Sequence, residues 1–279
     1  MDTPFDQVGL KKRLTCMLAW FHEYCVENGF RYYLVEGTML GAARHQGFIP
    51  WDDDIDVGMP RKDYERFIAS MEEHKGQYVL ETPASPAEDY FFYISKLYDT
   101  ETTYIEHRRK DIKRGIYLDI FPLDGVGNSQ EEAQRFCRSI YLKLELVNAR
   151  AVALRKGRKW YKNAAALVAR CIPNALVKDK KLIVHVDQMC ASRDFDQDKY
   201  VSNILSTWRS KEIMPRRIYG EPTLYSFENL QVYGVENADE YLSHIYGNWR
   251  QLPPEEKRVT AHTGIYMDLT KSYLTSEQE

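Results

Sequence analysis

The chain has 279 residues, 44% hydrophobic and 28% charged, the composition of an ordinary globular protein long enough for one elaborated domain. A net charge of −3 and a pI near 6.2 argue against a nucleic-acid binder, which presents a positive excess to phosphates. Small or lipid-linked substrates are expected instead, with no nucleic-acid partner. Cys16, Cys25, Cys137, Cys171 and Cys190 are scattered without CxxC spacing, so neither a disulfide framework nor a zinc cluster is indicated, and a reducing cytoplasm suits them. The start, Met1-Asp2-Thr3-Pro4, lacks a basic segment followed by an apolar one, and no apolar run reaches bilayer length; neither export nor a membrane span is expected.

Leu10, Leu14, Met17, Leu18, Phe21 and Cys25 recur at helical spacing before Asn28-Gly29, which predicts an opening amphipathic helix with its stop signal. Tyr32-Tyr33-Leu34-Val35 reads as a strand ending at Glu36-Gly37-Thr38, followed by a short helix from Leu40 to Arg44. Next comes Asp52-Asp53-Asp54-Ile55-Asp56, four carboxylates in five residues inside an otherwise apolar, strand-like segment. In an extended strand Asp54 and Asp56 project the same way, with Ile55 and Val57 turned into the core. Two carboxylates on one face can chelate Mg²⁺ or Mn²⁺, which prefer oxygen ligands. The structural alternative is a turn that caps the helix beginning near Pro60. An EF-hand loop from Asp52 is excluded, because Val57 stands where its Gly and Asp63 where its closing Glu should be.

A helix from Pro60 carries Tyr64, Phe67, Ile68 and Met71 on one side, and β segments are predicted at Tyr78 to Leu80, Tyr90 to Tyr98, Thr103 to Ile105 and Ile116 to Phe121. This is an α+β pattern built on a mixed sheet. From Ser129, a credible N-cap before Glu131 and Glu132, to about Arg193 the reading turns helical, with a strongly basic portion from Arg150 to Lys181. The helix around Ala164 to Ile172 sets Ala165, Leu167, Val168, Cys171 and Ile172 among Lys159, Lys162 and Arg170. It either packs on the sheet with a solvated basic side or rests peripherally on an anionic membrane; packing on the sheet is the preferred expectation. After Asp198 come short β-like pieces, then a helix from Ala238 to Tyr246 closed by Gly247.

Asp119 lies in Ile116-Tyr117-Leu118-Asp119-Ile120-Phe121, apolar on both sides, where a carboxylate needs a partner. That partner is either a nearby Lys or Arg or a shared metal ion. A Gly-Thr turn after a strand, an Asp-hydrophobic-Asp strand and a later lone Asp resemble the order of acids in the nucleotidyltransferase fold. Glu36-Gly37-Thr38-Met39-Leu40-Gly41-Ala42-Ala43-Arg44-His45 with Gly47-Phe48-Ile49-Pro50-Trp51-Asp52-Asp53-Asp54-Ile55-Asp56 and Met59-Pro60-Arg61 closely resembles the signature of the LicD family. Asp119-Ile120-Phe121-Pro122-Leu123-Asp124 is similar to its second block, and Tyr246-Gly247-Asn248-Trp249 through Arg258 to its C-terminal block.

The resemblance implies a metal-dependent phosphotransferase that moves a phospho-alcohol, typically phosphocholine from CDP-choline, onto a hydroxyl of a cell-surface glycan or teichoic acid precursor. By the family's pattern Asp54, Asp56 and Asp119 are the catalytic and metal-holding acids, with Mg²⁺ or Mn²⁺ as cofactor and Asp119 also the candidate base. Gly37 and Thr38 are expected to donate to phosphate oxygens, and Arg44 and Lys96 are candidates for further substrate contacts. The expected partners are CDP-choline or another CDP-alcohol and a glycan or lipid-linked glycan acceptor, met in the cytoplasm or at the inner face of the membrane. The implied architecture is an α+β, nucleotidyltransferase-like core over 1–128, a basic helical insertion over 129–198 and a C-terminal segment, 199–279, that completes the domain. Two other functions stay open: a nucleotidyltransferase that makes the CDP-alcohol, and a non-catalytic glycan-binding scaffold.

Overall fold

Periodic apolar positions make the first element. Helix α1 (Gln7–Asn28) buries Leu10, Leu14, Met17, Leu18, Phe21 and Cys25, as their spacing predicts. The Asp6 carboxylate accepts from the Gly9 N–H at 2.8 Å, and Gly29 ends the helix at φ +64°, a conformation suited to glycine. The computed structural model describes residues 6–87, 90, 92–107, 111–151, 160–171, 179–259 and 264–275. The chain continues through β1 (Tyr33–Leu34), α2 (Glu36–His45), β2 (Asp56–Pro60), α3 (Arg61–Glu72), β3 (Tyr78–Glu81), β4 (Ser95–Asp99), β5 (Thr103–Glu106), β6 (Ile112–Arg114) and β7 (Tyr117–Gly127). Then follow α4 (Gln130–Ala151), α5 (Trp160–Cys171), α6 (Asp179–Cys190), β8 (Tyr200–Ser202), β9 (Met214–Pro215), β10 (Thr223–Phe227), β11 (Leu230–Gly234), α7 (Ala238–Tyr246) and β12 (Gly264–Asp268).

The main sheet runs β10-β11-β1-β2-β7-β4-β3, with β8 on the far half of β7 and β9 beyond it. Its ladders are mixed: β2 lies parallel to β7, while β1 is antiparallel to β2 and β4 antiparallel to β7. This is the α+β class expected from the sequence. The central strand β7 is buried along its whole length, with α1, α3 and α4 packed against it. That environment explains why β7 reads as a continuous apolar run broken only by acids. Rings join the layers, Phe21 meeting Tyr32 at 5.0 Å and Phe67 at 5.4 Å between centroids. Arg61 at the start of α3 grips both oxygens of Asp124 on β7, at 2.7 and 2.9 Å, and Asp187 of α6 at 2.8 Å, tying the helical segment to the sheet. Ser129 caps α4 by accepting from the Glu132 N–H at 3.2 Å.

Five local expectations are corrected. Glu36-Gly37-Thr38 does not end a strand but forms the first turn of α2, because Glu36 takes φ +47° and turns the chain sharply out of β1. Asp54 lies ahead of β2, which begins at Asp56, although Ile55 and Val57 are buried as predicted. The strand expected from Tyr90 starts only at Ser95, since the buried Tyr90 hydroxyl donates to the Ile94 carbonyl at 2.6 Å and holds a loop there. Thr103 to Ile105 leaves the mixed sheet for a separate one, β12-β5-β6. There Thr102 Oγ1 accepts from the Ile116 N–H at 2.9 Å and closes the base of the excursion.

Helix α5 packs on α4 through the buried small residues Ala166 and Ala169, not on the sheet through Leu167, Val168 and Cys171, which face outward. Small residues permit a close helix approach and leave the larger apolar ones on the other side. Ile172 and most of the basic linkers around α5 lie outside the described residues.

Candidate active site

Sheet register builds the core of the site. Asp56 on β2 and Asp119 on β7 are direct partners in a parallel ladder, so their side chains leave the same face of the sheet. Lys96 on β4 stands opposite Asp119 in the next ladder. Its ammonium is 2.8 Å from Asp119 Oδ1 and lies over the rings of Tyr117, 3.3 Å from the centroid, and Phe92, at 4.4 Å. The structure thus supplies the Lys partner for Asp119 that the sequence left as one alternative, with Asp119 9% and Lys96 3% exposed. Removing either member of such a buried pair would leave the other without its partner in a poorly hydrated place.

Asp52, Asp53 and Asp54 lead into this row, and one carboxylate oxygen from each lies within 4.8 Å of the others. Asp52 sits against the first turn of α2: a Cβ on Gly37 would be 2.9 Å from Asp52 Oδ2, so any side chain at 37 would displace that carboxylate. The N-terminal end of a helix favours an anion there. Thr38 Oγ1 accepts the Asp56 backbone N–H at 2.8 Å, and the Asp119 N–H donates to the Ile55 carbonyl at 2.9 Å. Gly37 and Thr38 therefore shape the acidic loop itself. Arg44, on the last turn of α2, donates to His45 Nε2 at 3.0 Å and to the Trp249 carbonyl at 2.8 Å, joining the first motif block to the C-terminal one. Arg258 lies over the Trp51 ring at 5.7 Å, a second link between those blocks.

Too much negative charge is gathered here for one lysine to offset. Burial, then the charges of Asp54, Glu36, Asp119 and Asp52, push the Asp56 carboxyl well above the usual carboxylate range. Burial also pushes Glu36 up to about 7, opposed by a hydrogen bond from Ser206 and reinforced by Asp54 and Asp119. Glu36 Oε1 accepts from Asn203 Nδ2 at 3.0 Å, and its backbone N–H donates to the Tyr241 hydroxyl at 3.1 Å. Glu212, fully buried, is driven well above its ordinary value by burial and by Glu36. These groups need protons or a cation to coexist, and a donor set of carboxylate oxygens suits a hard divalent ion. Beside the acids a pocket is lined by Leu10, Leu14, Asp53, Tyr104, Ile116 and Tyr117.

Glu36 stands in the first motif block, yet its role went unassigned. Glu212, Asn203 and Ser206 were missed, because nothing in Lys211-Glu212-Ile213 or Asn203-Ile204-Leu205-Ser206 marks them before the fold brings them to α2. Known proteins are similar to this chain over these regions. The family model described as LicD/FKTN/FKRP, nucleotidyltransferase domain, matches residues 29–144, a span that holds Asp52 to Asp56, Lys96 and Asp119. Over 259 residues the chain is 29% identical to the lipopolysaccharide cholinephosphotransferase LicD of Haemophilus influenzae, covering 90% of this chain and 95% of that protein. A 35-residue stretch is 54% identical to the ribitol 5-phosphate transferase FKRP of Homo sapiens and of Mus musculus, 12% of this chain and 7% of those proteins. Near-full-length similarity to one transferase, together with the domain match, shows an enzyme that carries a LicD-family domain over residues 29–144.

Proposed function

We propose that this protein is a metal-dependent phosphotransferase that moves phosphocholine from CDP-choline to a hydroxyl of a cell-surface glycan or teichoic acid precursor. The observation that carries the reading is the row Asp56–Asp119–Lys96 across β2, β7 and β4, with the Asp52–Asp53–Asp54 cluster immediately before it in the chain. Asp54, Asp56 and Asp119 would hold Mg²⁺ or Mn²⁺, with Asp52 and Asp53 close enough to Asp54 to share in it. When bound, the ion supplies positive charge that stabilises the diphosphate donor and the departing CMP.

The acceptor oxygen forms a bond to the phosphorus that bears choline, the bond from that phosphorus to the bridging oxygen breaks, and CMP leaves with the electron pair. Asp119, held in place by Lys96, receives the hydroxyl proton. Lys96 also places a cation beside the reacting phosphate. Thr38 fixes the Asp56 backbone, and Gly37 leaves room for Asp52. Asp53 and Tyr104 line a small cleft beside the acids, a carboxylate and a ring of the kind that attract an alkylammonium. Choline is the alcohol this reading selects over the uncharged ribitol and glycerol. The similarity to a lipopolysaccharide cholinephosphotransferase supports the same choice.

A donor screen with purified protein and Mg²⁺ tests the reading by scoring CMP release from CDP-choline, CDP-ethanolamine, CDP-ribitol and CDP-glycerol with a glycan acceptor. Release from CDP-choline that is lost in Asp56→Ala is expected. Pyrophosphate release from CTP and phosphocholine, without CMP release from any CDP-alcohol, would establish the nucleotidyltransferase alternative instead.

A further inference from the structure

Helix α5 is amphipathic in an unusual sense. Its buried side consists of small residues, Ala166 and Ala169, whereas Trp160, Leu167 and Val168 are 81%, 52% and 69% exposed. With the exposed Cys171 these stand at i, i+7, i+8 and i+11, a single stripe along the helix. Tyr161, at the same end as Trp160, is also exposed. A stripe of bulky apolar side chains on the solvent side of a helix marks an interaction surface.

Charge identifies the partner. Between Arg150 and Lys181 the sequence holds ten basic residues and one acidic, Asp179, a net +9. Since the whole chain carries −3, the remaining residues together carry −12. A second copy docking through α5 would bring two such basic segments together, so self-association is opposed by like charge. An anionic bilayer meets both properties at once: its headgroups attract the basic segment, and its interface accepts Leu, Val and the amphipathic rings of Trp and Tyr. No described helix is long and apolar enough to cross a membrane, so the contact is one of lying on the surface.

We propose that α5 docks this protein on anionic membrane, with Trp160, Leu167 and Val168 inserted below the headgroups. Helix α4 contacts both α5 and β7 and so connects the docking face to the strand that carries Asp119. This arrangement would hold the acidic site near a lipid-linked acceptor. The docking claim itself does not rest on the catalytic reading, because vesicle binding is measured without turnover.

The test is co-sedimentation of the full chain with phosphatidylcholine vesicles, alone or with about a third phosphatidylglycerol, at low salt and at about 0.5 M salt. Wild-type protein is expected to partition onto the anionic vesicles roughly tenfold or more over neutral ones, with the excess lost at high salt. Leu167→Gln/Val168→Gln, and separately Trp160→Gln, are expected to lower that binding about tenfold while circular dichroism and the thermal melt stay unchanged. Equal binding to neutral and anionic vesicles, or full binding by the substituted proteins, would overturn the proposal. So would a wild-type dimer in solution that Leu167→Gln/Val168→Gln converts to monomer, which would make a second copy the partner of this face.

Discussion

Replacing Lys96 by Met removes an ammonium 2.8 Å from the Asp119 carboxylate and keeps a side chain of similar length over Tyr117 and Phe92. Both partners are buried, so the loss leaves a desolvated carboxylate next to Asp56, at a cost of about 3–5 kcal/mol. For a chain of this size that lowers the midpoint of thermal unfolding by roughly 6–20 °C. Asp119→Asn on the Lys96→Met background removes the charge itself and is expected to recover much of the stability. A double-mutant cycle by urea denaturation measures this coupling directly. Strict additivity of the two substitutions, or a single-mutant cost below about 1 kcal/mol at pH 8, would refute the claim that Lys96 and Asp119 act as a pair.

Thr38→Val leaves the buried Asp56 N–H without the hydroxyl that accepts it, so stability is expected to fall by about 1–3 kcal/mol; CMP release is expected to fall with it, measured at saturating donor. Glu36 has a folded pKa near 7 against an ordinary 4.5, so the folded state holds its proton more tightly. Its contribution is present in full below about pH 4.5 and is lost as pH rises through 7, a change on the order of 3 kcal/mol. Glu36→Gln is expected to flatten that decline and to be the more stable protein at pH 8 in urea titrations across pH. A decline that is equally steep in the variant would assign it to other groups. Tyr104→Leu is expected to raise KM for CDP-choline more than for CDP-glycerol in steady-state assays, and equal effects on both donors would remove Tyr104 from the choline site.

Helices α1, α3 and α7 were legible because each carries a strong local signal: a 3.6-residue apolar period and, at its ends, Gly29, Pro60 or Gly247. The acids of 52–56 and Asp119 were legible for a different reason, since carboxylates amid aliphatics are costly wherever they lie. What the residues could not reveal is register. Nothing near Lys96 says that β4 pairs with β7 so as to bring its ammonium to Asp119, and nothing near Glu212 says that it will face Glu36. The turn at Glu36 was misread because Tyr33-Leu34-Val35 continues smoothly as a strand, while the positive φ that starts α2 there falls on a glutamate, where glycine is the usual marker. On α5 the apolar residues were visible, but which of them face α4 depends on how closely two helices approach, a property of the packed pair.

Direct titration of Mn²⁺ into the purified protein by calorimetry, without donor or acceptor, tests the central claim most closely. Saturable binding that Mg²⁺ competes for, and that Asp54→Asn and Asp56→Asn each weaken by at least about tenfold, is the predicted result. Absence of saturable binding, or affinity unchanged by both substitutions in proteins that melt like wild type, would contradict the assignment of these acids to a metal-dependent phosphotransfer site.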